Sequence, residues 1–542
     1  MIAVGGAGAS GTEELSGLFH PKPRERVVRD LVHRSRRRLE GLSDAALEAL
    51  LMDALWHERK RIEGHGEELE RDALDHLARA LQRGTRDERI ESGLALVSSW
   101  GEEIHGRFDL RAYRAATRVL PRALPALLSG RPRRLRDLEA PHENKLLVRG
   151  DPALLQQLAR EATLVLAPTH VSNLDSPIIG LALYLAGLPP FVYGAGLNLF
   201  GNPLVGWWLR RLGAYTVDRR KKATLYKDVL KDYSIRALTT RHHSLFFPGG
   251  TRARSGEIEQ HIKKGLLGTG IVAWQEMLAA GRPDSEVYVV PLTLSFTLVL
   301  EAATLIEDFL AESGKQRYII TDDEFAQTRR LLAFANRVLD LDASIIATYG
   351  QPLDVLGNPV SADPEERREQ AERRKRFVCG RDGKVQWDEQ RDMTYTTRLA
   401  DALVDAYPRG AVPLSTHTAA YAAWGCLVEA VGSPDPFRVV RSPIERRRIP
   451  FDRFRRQLDE TMRRIAEGAA EGRWQPLQAP GGAEGLLDEA LDRFSRYHRS
   501  RALVRRGTEL VVEDPKLCLY YRNRLTILDR PPRSRPLGEV EA

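Results

Sequence analysis

The sequence predicts an α/β protein: a central mixed, mostly parallel sheet flanked by helices, with helical regions before and after it. Three observations lead there. From about residue 151, short apolar runs rich in β-branched or aromatic residues alternate with helical stretches. Several of these runs end in a glycine- or proline-containing loop, and α/β sheets place their sites at such strand ends. The segments on either side mix Arg with Glu and repeat apolar residues three and four apart, as amphipathic helices do.

In chain order, residues 1–20 are glycine-rich and read as disordered. Residues 21–150 read as a helical domain, with DAALEALLMDALWHERKRIE at 44–63 as its clearest amphipathic stretch. Residues 151–360 read as the α/β domain. Its strands are TLVLAPTH, PFVYGAG, GAYTVDR, HSLFFPGG, EVYVVPLTLSF and SIIATYGQPL, with TLYKDVLKDYSIRALTTR among the helices between them. Proline inside a strand usually marks an edge or a bulge, so Pro291 points to an edge position for EVYVVPLTLSF. The polar, charged stretch at 357–377 marks a boundary, and 361–542 reads as mostly helical with arginine-rich patches such as ERRRIPFDRFRR at 445–456.

Composition narrows the function. The chain has 542 residues and a net charge of +8, which favours anionic partners: nucleic acid, an anionic membrane or a phosphorylated substrate. Motifs of nucleic-acid binding modules are missing, which sets that class aside. Cys379, Cys426 and Cys518 are few and scattered, which argues against a disulfide framework or a zinc module. MIAVGGAGASGTEELSG at the start lacks the basic and apolar regions of a secretory signal. Residues 176–209 carry no charge, but Pro189-Pro190 interrupts them, so they suit a buried core or a lipid-facing surface better than a membrane span.

The stretch LVLAPTHVSNLDSP, 164–177, carries the chemistry. A strand delivers His170 to its C-terminal edge. Asp175 or Ser176 caps the following helix, with Pro177 at its first position. The turn between them folds the Asp175 carboxylate back onto the imidazole. A carboxylate so placed fixes the tautomer of a histidine and stabilises its charged form. With no G-x-S-x-G elbow in the chain, a substrate hydroxyl deprotonated by His170 is the candidate nucleophile.

Three further blocks follow. GAGLNLFGNPLVGWWLRRLGAYTVDRRK spans 194–221, and its arginines cluster at the ends of apolar elements. FFPGGTRARSGEI, 246–258, combines a glycine turn with Arg252 and Arg254, residue types that grip phosphate. EVYVVPLTLSF is the last. His242-His243 and His261 lack the spacing of metal ligands.

These four blocks, in this order, resemble the H-x4-D glycerolipid acyltransferases. The likeness is greatest to the glycerol-3-phosphate and dihydroxyacetone-phosphate acyltransferase branch, through THVSNLD, GAGLNL with RRLGAY, GGTRARSG and VVPLTLSF. It runs from about 160 to 357, with a weaker echo in LCLYYRNRLTIL at 517–528. The resemblance implies His170 as general base with Asp175 orienting it. It implies Arg219, Arg252 and, more weakly, Arg254 as phosphate ligands, with Gly250 at the turn and Pro291 shaping the acyl-donor side. It also implies transfer from acyl-CoA or acyl-ACP to the sn-1 hydroxyl of glycerol 3-phosphate, with no cofactor and no metal. The protein is then expected in the cytoplasm, peripheral on the inner face of the cell membrane. Tyr193, Trp207 and Trp208 would sit at the lipid interface, and basic clusters at 22–38, 367–376 and 446–456 would hold the anionic surface. A lysophosphatidate or dihydroxyacetone-phosphate acyltransferase is the alternative within the chemistry, and a non-catalytic lipid-binding protein the alternative outside it. Two departures stand out. Gly249 replaces the glutamate usual in the third block, which leaves Glu257 as one substitute, and Asp218 adjoins Arg219 where the family often has an apolar residue.

Overall fold

The computed structural model describes residues 21–63, 68–106, 108–109, 111–116, 146–197, 203–313, 345–477, 479, 481–496 and 498–530. Residues 1–20, expected to be disordered, lie outside this set.

Eight strands form the central sheet: β1 (Leu146–Arg149), β2 (Thr163–Pro168), β3 (Val192–Gly196), β4 (Ala214–Val217), β5 (Ser244–Leu245), β6 (Val287–Phe296), β7 (Ile345–Tyr349) and β8 (Leu353–Asp354). Their order is β1-β7-β6-β2-β5-β3-β4, with β8 also on β6. Strands β2 to β6 are parallel, while β7 and β8 run antiparallel to β6. The sheet is therefore mixed and mostly parallel, as expected.

Both faces are covered, and the pleat sorts side chains between them. Leu164 and Leu166 of β2, with Val290, Leu292, Leu294 and Phe296 of β6, enter one core with helices Asp175–Leu185 and Ser415–Val431. Val165 and Ala167, with Val287 and Val289, face the opposite core against helices Thr269–Ala279 and Glu389–Gly410. The N-terminal helices Pro21–Glu40, Asp44–Ile62, Glu68–Arg83 and Arg86–Ile104 build a third core. It takes in Val192, Tyr215 and the helix Thr224–Thr239. The C-terminal region is mostly helical but carries a small antiparallel sheet of β9 (Arg448–Pro450), β10 (Val504–Arg506) and β11 (Glu509–Val511).

Pro291 corrects its expected edge position. It lies within β6, a ten-residue buried central strand, opposite Ala167 of β2. Its carbonyl accepts from Gly350 N–H at 2.8 Å. On that side the partner of β6 changes from β8, paired at Tyr288 and Val289, to β7, paired from Leu292 onward. The missing N–H falls at this changeover, where the proline leaves only one bond of the Pro291–Gly350 pair to form.

The basic clusters also divide. Arg367 and Arg374 are buried; Arg374 pairs with Glu286 and Asp354, and Arg367 with Glu161. Arg34 and Arg38 bind the buried Asp232. These arginines brace elements against each other. No helix among the described residues is long and apolar enough to cross a membrane.

Candidate active site

Strand β2 delivers Thr169 and His170 to the C-terminal edge of the parallel strands. Thr169 is pinned first: its N–H donates to Leu292 O, and its hydroxyl accepts from Leu294 N–H. The chain then turns, and helix Asp175–Leu185 begins. Here the expected cap is corrected. The helix starts at Asp175, with Leu174 as its cap residue and no side-chain cap bond, and Pro177 is the third helical residue. The Asp175 carboxylate is turned back upstream instead. Its Oδ2 accepts from the N–H groups of Val171, at 2.6 Å, and Ser172, at 3.0 Å, and lies 2.7 Å from His170 Nδ1. Pro177 is tolerated because the first four N–H groups of a helix lack intrahelical partners.

This geometry sets the tautomer. An ionised carboxylate only accepts, so Nδ1 carries the proton and Nε2 keeps its lone pair. Asp175 is fully buried, while the His170 side chain is 18% exposed, enough to meet a substrate. Phe247, from the loop after β5, stacks on the imidazole at 4.1 Å between ring centroids.

The third block wraps the same turn. Ala253 N–H donates to His170 O at 2.8 Å. Gly250 adopts φ +78, and a side chain there would collide with Lys263. Arg252 approaches Glu301 Oε1 at 3.8 Å. Glu301 is buried just beyond β6; it accepts from Asn173 N–H at 2.8 Å and from Ser172 Oγ–H at 3.0 Å. Burial is the main cause raising its carboxyl above the usual range, against the opposing pull of the Asn173 amide and Arg252.

The remaining predicted residues lie further out. Arg254 is turned to Glu312, at 2.7 Å. Arg219 is exposed in the turn after β4, on the same sheet edge as His170 but three strands along, roughly 14 Å at ~4.8 Å per strand. Asp218 is buried and binds Arg220 at 2.9 Å. Pro291 lies inside the sheet beneath the site. Of the aromatics expected at a lipid interface, Trp207 is 47% exposed with Arg211 over its ring, and Tyr193 is partly buried. The Trp208 side chain lies outside the described set.

Sequence reasoning missed three contributors. Glu259 is buried beside Gly249, and one of its oxygens, Oε1, accepts from His170 N–H. Burial, opposed by that amide and by Arg524, pushes its carboxyl up to about 7. Glu257, suggested as the substitute for a glutamate at 249, pairs with Arg530 instead. Glu301 is the second. The third is the C-terminal helix Pro515–Asn523 and its exit: Asn523 donates to Ser255 O at 2.8 Å, and buried Arg524 to Leu294 O at 2.9 Å. The LCLYYRNRLTIL echo was the available signal for that last contact.

A parallel-strand edge bearing a carboxylate-held histidine, wrapped by a glycine–arginine loop, has the form of an acyltransferase-type domain. Residues 153–295 match the family model described as Acyltransferase. Over 166 residues it is 29% identical to glycerol-3-phosphate acyltransferases of Pseudomonas fluorescens strains Pf-5, Pf0-1 and SBW25. Each match covers 30% of this chain and 19% of the relative, so the chain spans about a fifth of the length of the curated relatives it matches.

Proposed function

We propose that the chain is an O-acyltransferase that moves a fatty acyl group from an acyl-CoA or acyl-ACP thioester to the sn-1 hydroxyl of glycerol 3-phosphate. The observation that carries this reading is the imidazole held through Nδ1 by Asp175 at 2.7 Å, which leaves Nε2 free at a partly open strand end. Nε2 takes the hydroxyl proton as the oxygen attacks the thioester carbonyl. The tetrahedral intermediate collapses, the C–S bond breaks, and the thiolate leaves with a proton. Asp175 stabilises the imidazolium in between.

Arg252 sits behind the His170 turn, where a guanidinium can hold the acceptor phosphate and set the hydroxyl against the base. Arg219 reaches from further along the same edge. The acyl chain lies along the uncharged segment after Asp175, and exposed Trp207 with Arg211 faces the lipid surface. The protein on this reading is peripheral, on the inner face of the cell membrane, held by anionic lipid.

Transfer from palmitoyl-CoA and palmitoyl-ACP to glycerol 3-phosphate, dihydroxyacetone phosphate and lysophosphatidate, assayed in parallel, tests it. Product is expected with glycerol 3-phosphate, falling by about 10²–10⁴ in His170→Ala and Asp175→Asn. Folded protein that binds anionic vesicles but transfers to none of the acceptors would favour a lipid-binding role instead.

A further inference from the structure

Glu259 takes no part in the reaction as written above, yet it is built into the site. It is 9% exposed, and Oε1 accepts from the N–H of the catalytic histidine's own backbone. Its other oxygen, Oε2, is buried and has no hydrogen-bond partner among the described residues. A carboxylate is kept half-satisfied in a buried place at a cost, so its position calls for a reason.

Gly249 supplies the geometry. Unlike Gly250, it is not among the glycines with positive φ, so its backbone does not demand glycine. A Cβ built on it would lie 3.1 Å from Glu259 Cγ and 3.8 Å from Glu259 Oε1. The side chain of Glu259 therefore fills the space that a side chain on residue 249 would use. A glutamate carboxylate oxygen lies three bonds from its Cβ, a reach of roughly 3.5 Å, whereas an aspartate oxygen lies two bonds away and stops about an ångström short.

We propose that Glu259 is a positioning residue: from ten residues downstream it delivers the carboxylate that the backbone at Gly249 leaves room for, and through the His170 amide it sets the imidazole against the acceptor hydroxyl. This rests on His170 being the base in acyl transfer. The consequence is that the carboxylate is transferable between the two positions. Glycine at 249 and glutamate at 259 are one device, and each is disruptive without the other.

The test is a swap, read by kinetics and by the His170 amide resonance in 15N-histidine-labelled protein, with melting temperatures as the folding control. Glu259→Ala is expected to lower kcat by about 10- to 100-fold with little change in the acceptor KM, the size of loss expected when a catalytic group is misplaced by about an ångström. The His170 amide proton, freed from its hydrogen bond to the Glu259 oxygen, should move upfield. Glu259→Gln, whose amide oxygen still accepts, should retain most of the rate. Gly249→Glu alone should be impaired by crowding against Glu259. The double variant Gly249→Glu/Glu259→Ala should recover to within about tenfold of the parent and restore the amide shift, while Gly249→Asp/Glu259→Ala should not. Folded Glu259→Ala with parental kcat and an unmoved amide, or a folded double variant no better than Glu259→Ala, would overturn the proposal. A parent as inert as His170→Ala toward every acceptor would remove the acyl-transfer reading. The amide resonances across the swap would then still decide whether Glu259 holds His170.

Discussion

Gly256 lies against the backbone carbonyl of Tyr520, with φ +83, so closely that a Cβ would penetrate the oxygen. The contact docks the C-terminal helix onto the loop that carries Arg252, beside the Asn523–Ser255 hydrogen bond. Gly256→Ala must therefore both strain the backbone and push the helix off. A loss of about 2–4 kcal/mol in unfolding free energy is expected, with lowered kcat/KM. Gly281→Ala, at φ +66 with open space around it, isolates the backbone cost and should lose about 1 kcal/mol. Equal losses in the two variants would show that the docking contact contributes nothing.

Arg252 and Arg254 sit two residues apart and should behave differently. Arg252 faces Glu301 and the His170 turn, whereas Arg254 pairs with exposed Glu312. Arg252→Ala is expected to raise the KM for a phosphorylated acceptor and to lower kcat/KM by about 10- to 100-fold, the worth of a charge-assisted hydrogen bond of ~1.5–3 kcal/mol. Arg254→Ala should change kcat/KM by less than about threefold, since exposed pairs contribute little. Steady-state kinetics with varied acceptor distinguishes them.

Stability should depend on pH through buried histidines. Burial lowers His243 and His417 to about 3 and His498 to about 4. His243 Nδ1 accepts from Leu164 N–H, a bond that protonation would destroy. The unfolded chain binds protons on these groups below about 6.5, and the folded chain does not, so stability is present above 6.5 and is lost as pH falls toward 3–4. Glu259 acts with the opposite sign. Its folded carboxyl titrates near 7 and its unfolded one near 4.5, so stability is lost as pH rises between those values. Glu276 and Glu301, also raised mainly by burial, act in the same direction as Glu259. The three histidines outweigh them, so chemical denaturation at pH 5 and pH 6 should show stability rising by about 1–2 kcal/mol. Glu259→Gln should steepen that rise.

Arg374 is buried between Glu286 and Asp354. Removing the cation strands two carboxylates under the sheet. Arg374→Met is expected to lose about 3–5 kcal/mol, read by urea denaturation. Arg373→Met next to it, an exposed residue paired with exposed Glu369, should stay within about 0.5 kcal/mol.

The sequence by itself determined what depends on neighbours along the chain. Strand–helix alternation specified the α/β sheet, because the burial period of each segment is a local property. His170 and Asp175 were legible because one short turn both separates and joins them, and the Arg252 loop was legible from its glycines. Tertiary structure alone decided what depends on who arrives next to whom. Pro291 sits in a central strand because two other strands change over beside it. The arginines of 367–376 divide into buried braces and exposed charges according to carboxylates some 20 to 200 residues away. Glu259, Glu301 and Arg524 join the site from residues spread over the following 350 positions, with no spacing rule to announce them. A carboxylate's effect is set by the few ångströms to its partner and by the water excluded around it. Neither quantity exists until the sheet, the loop after β5 and the C-terminal helix have closed on one another.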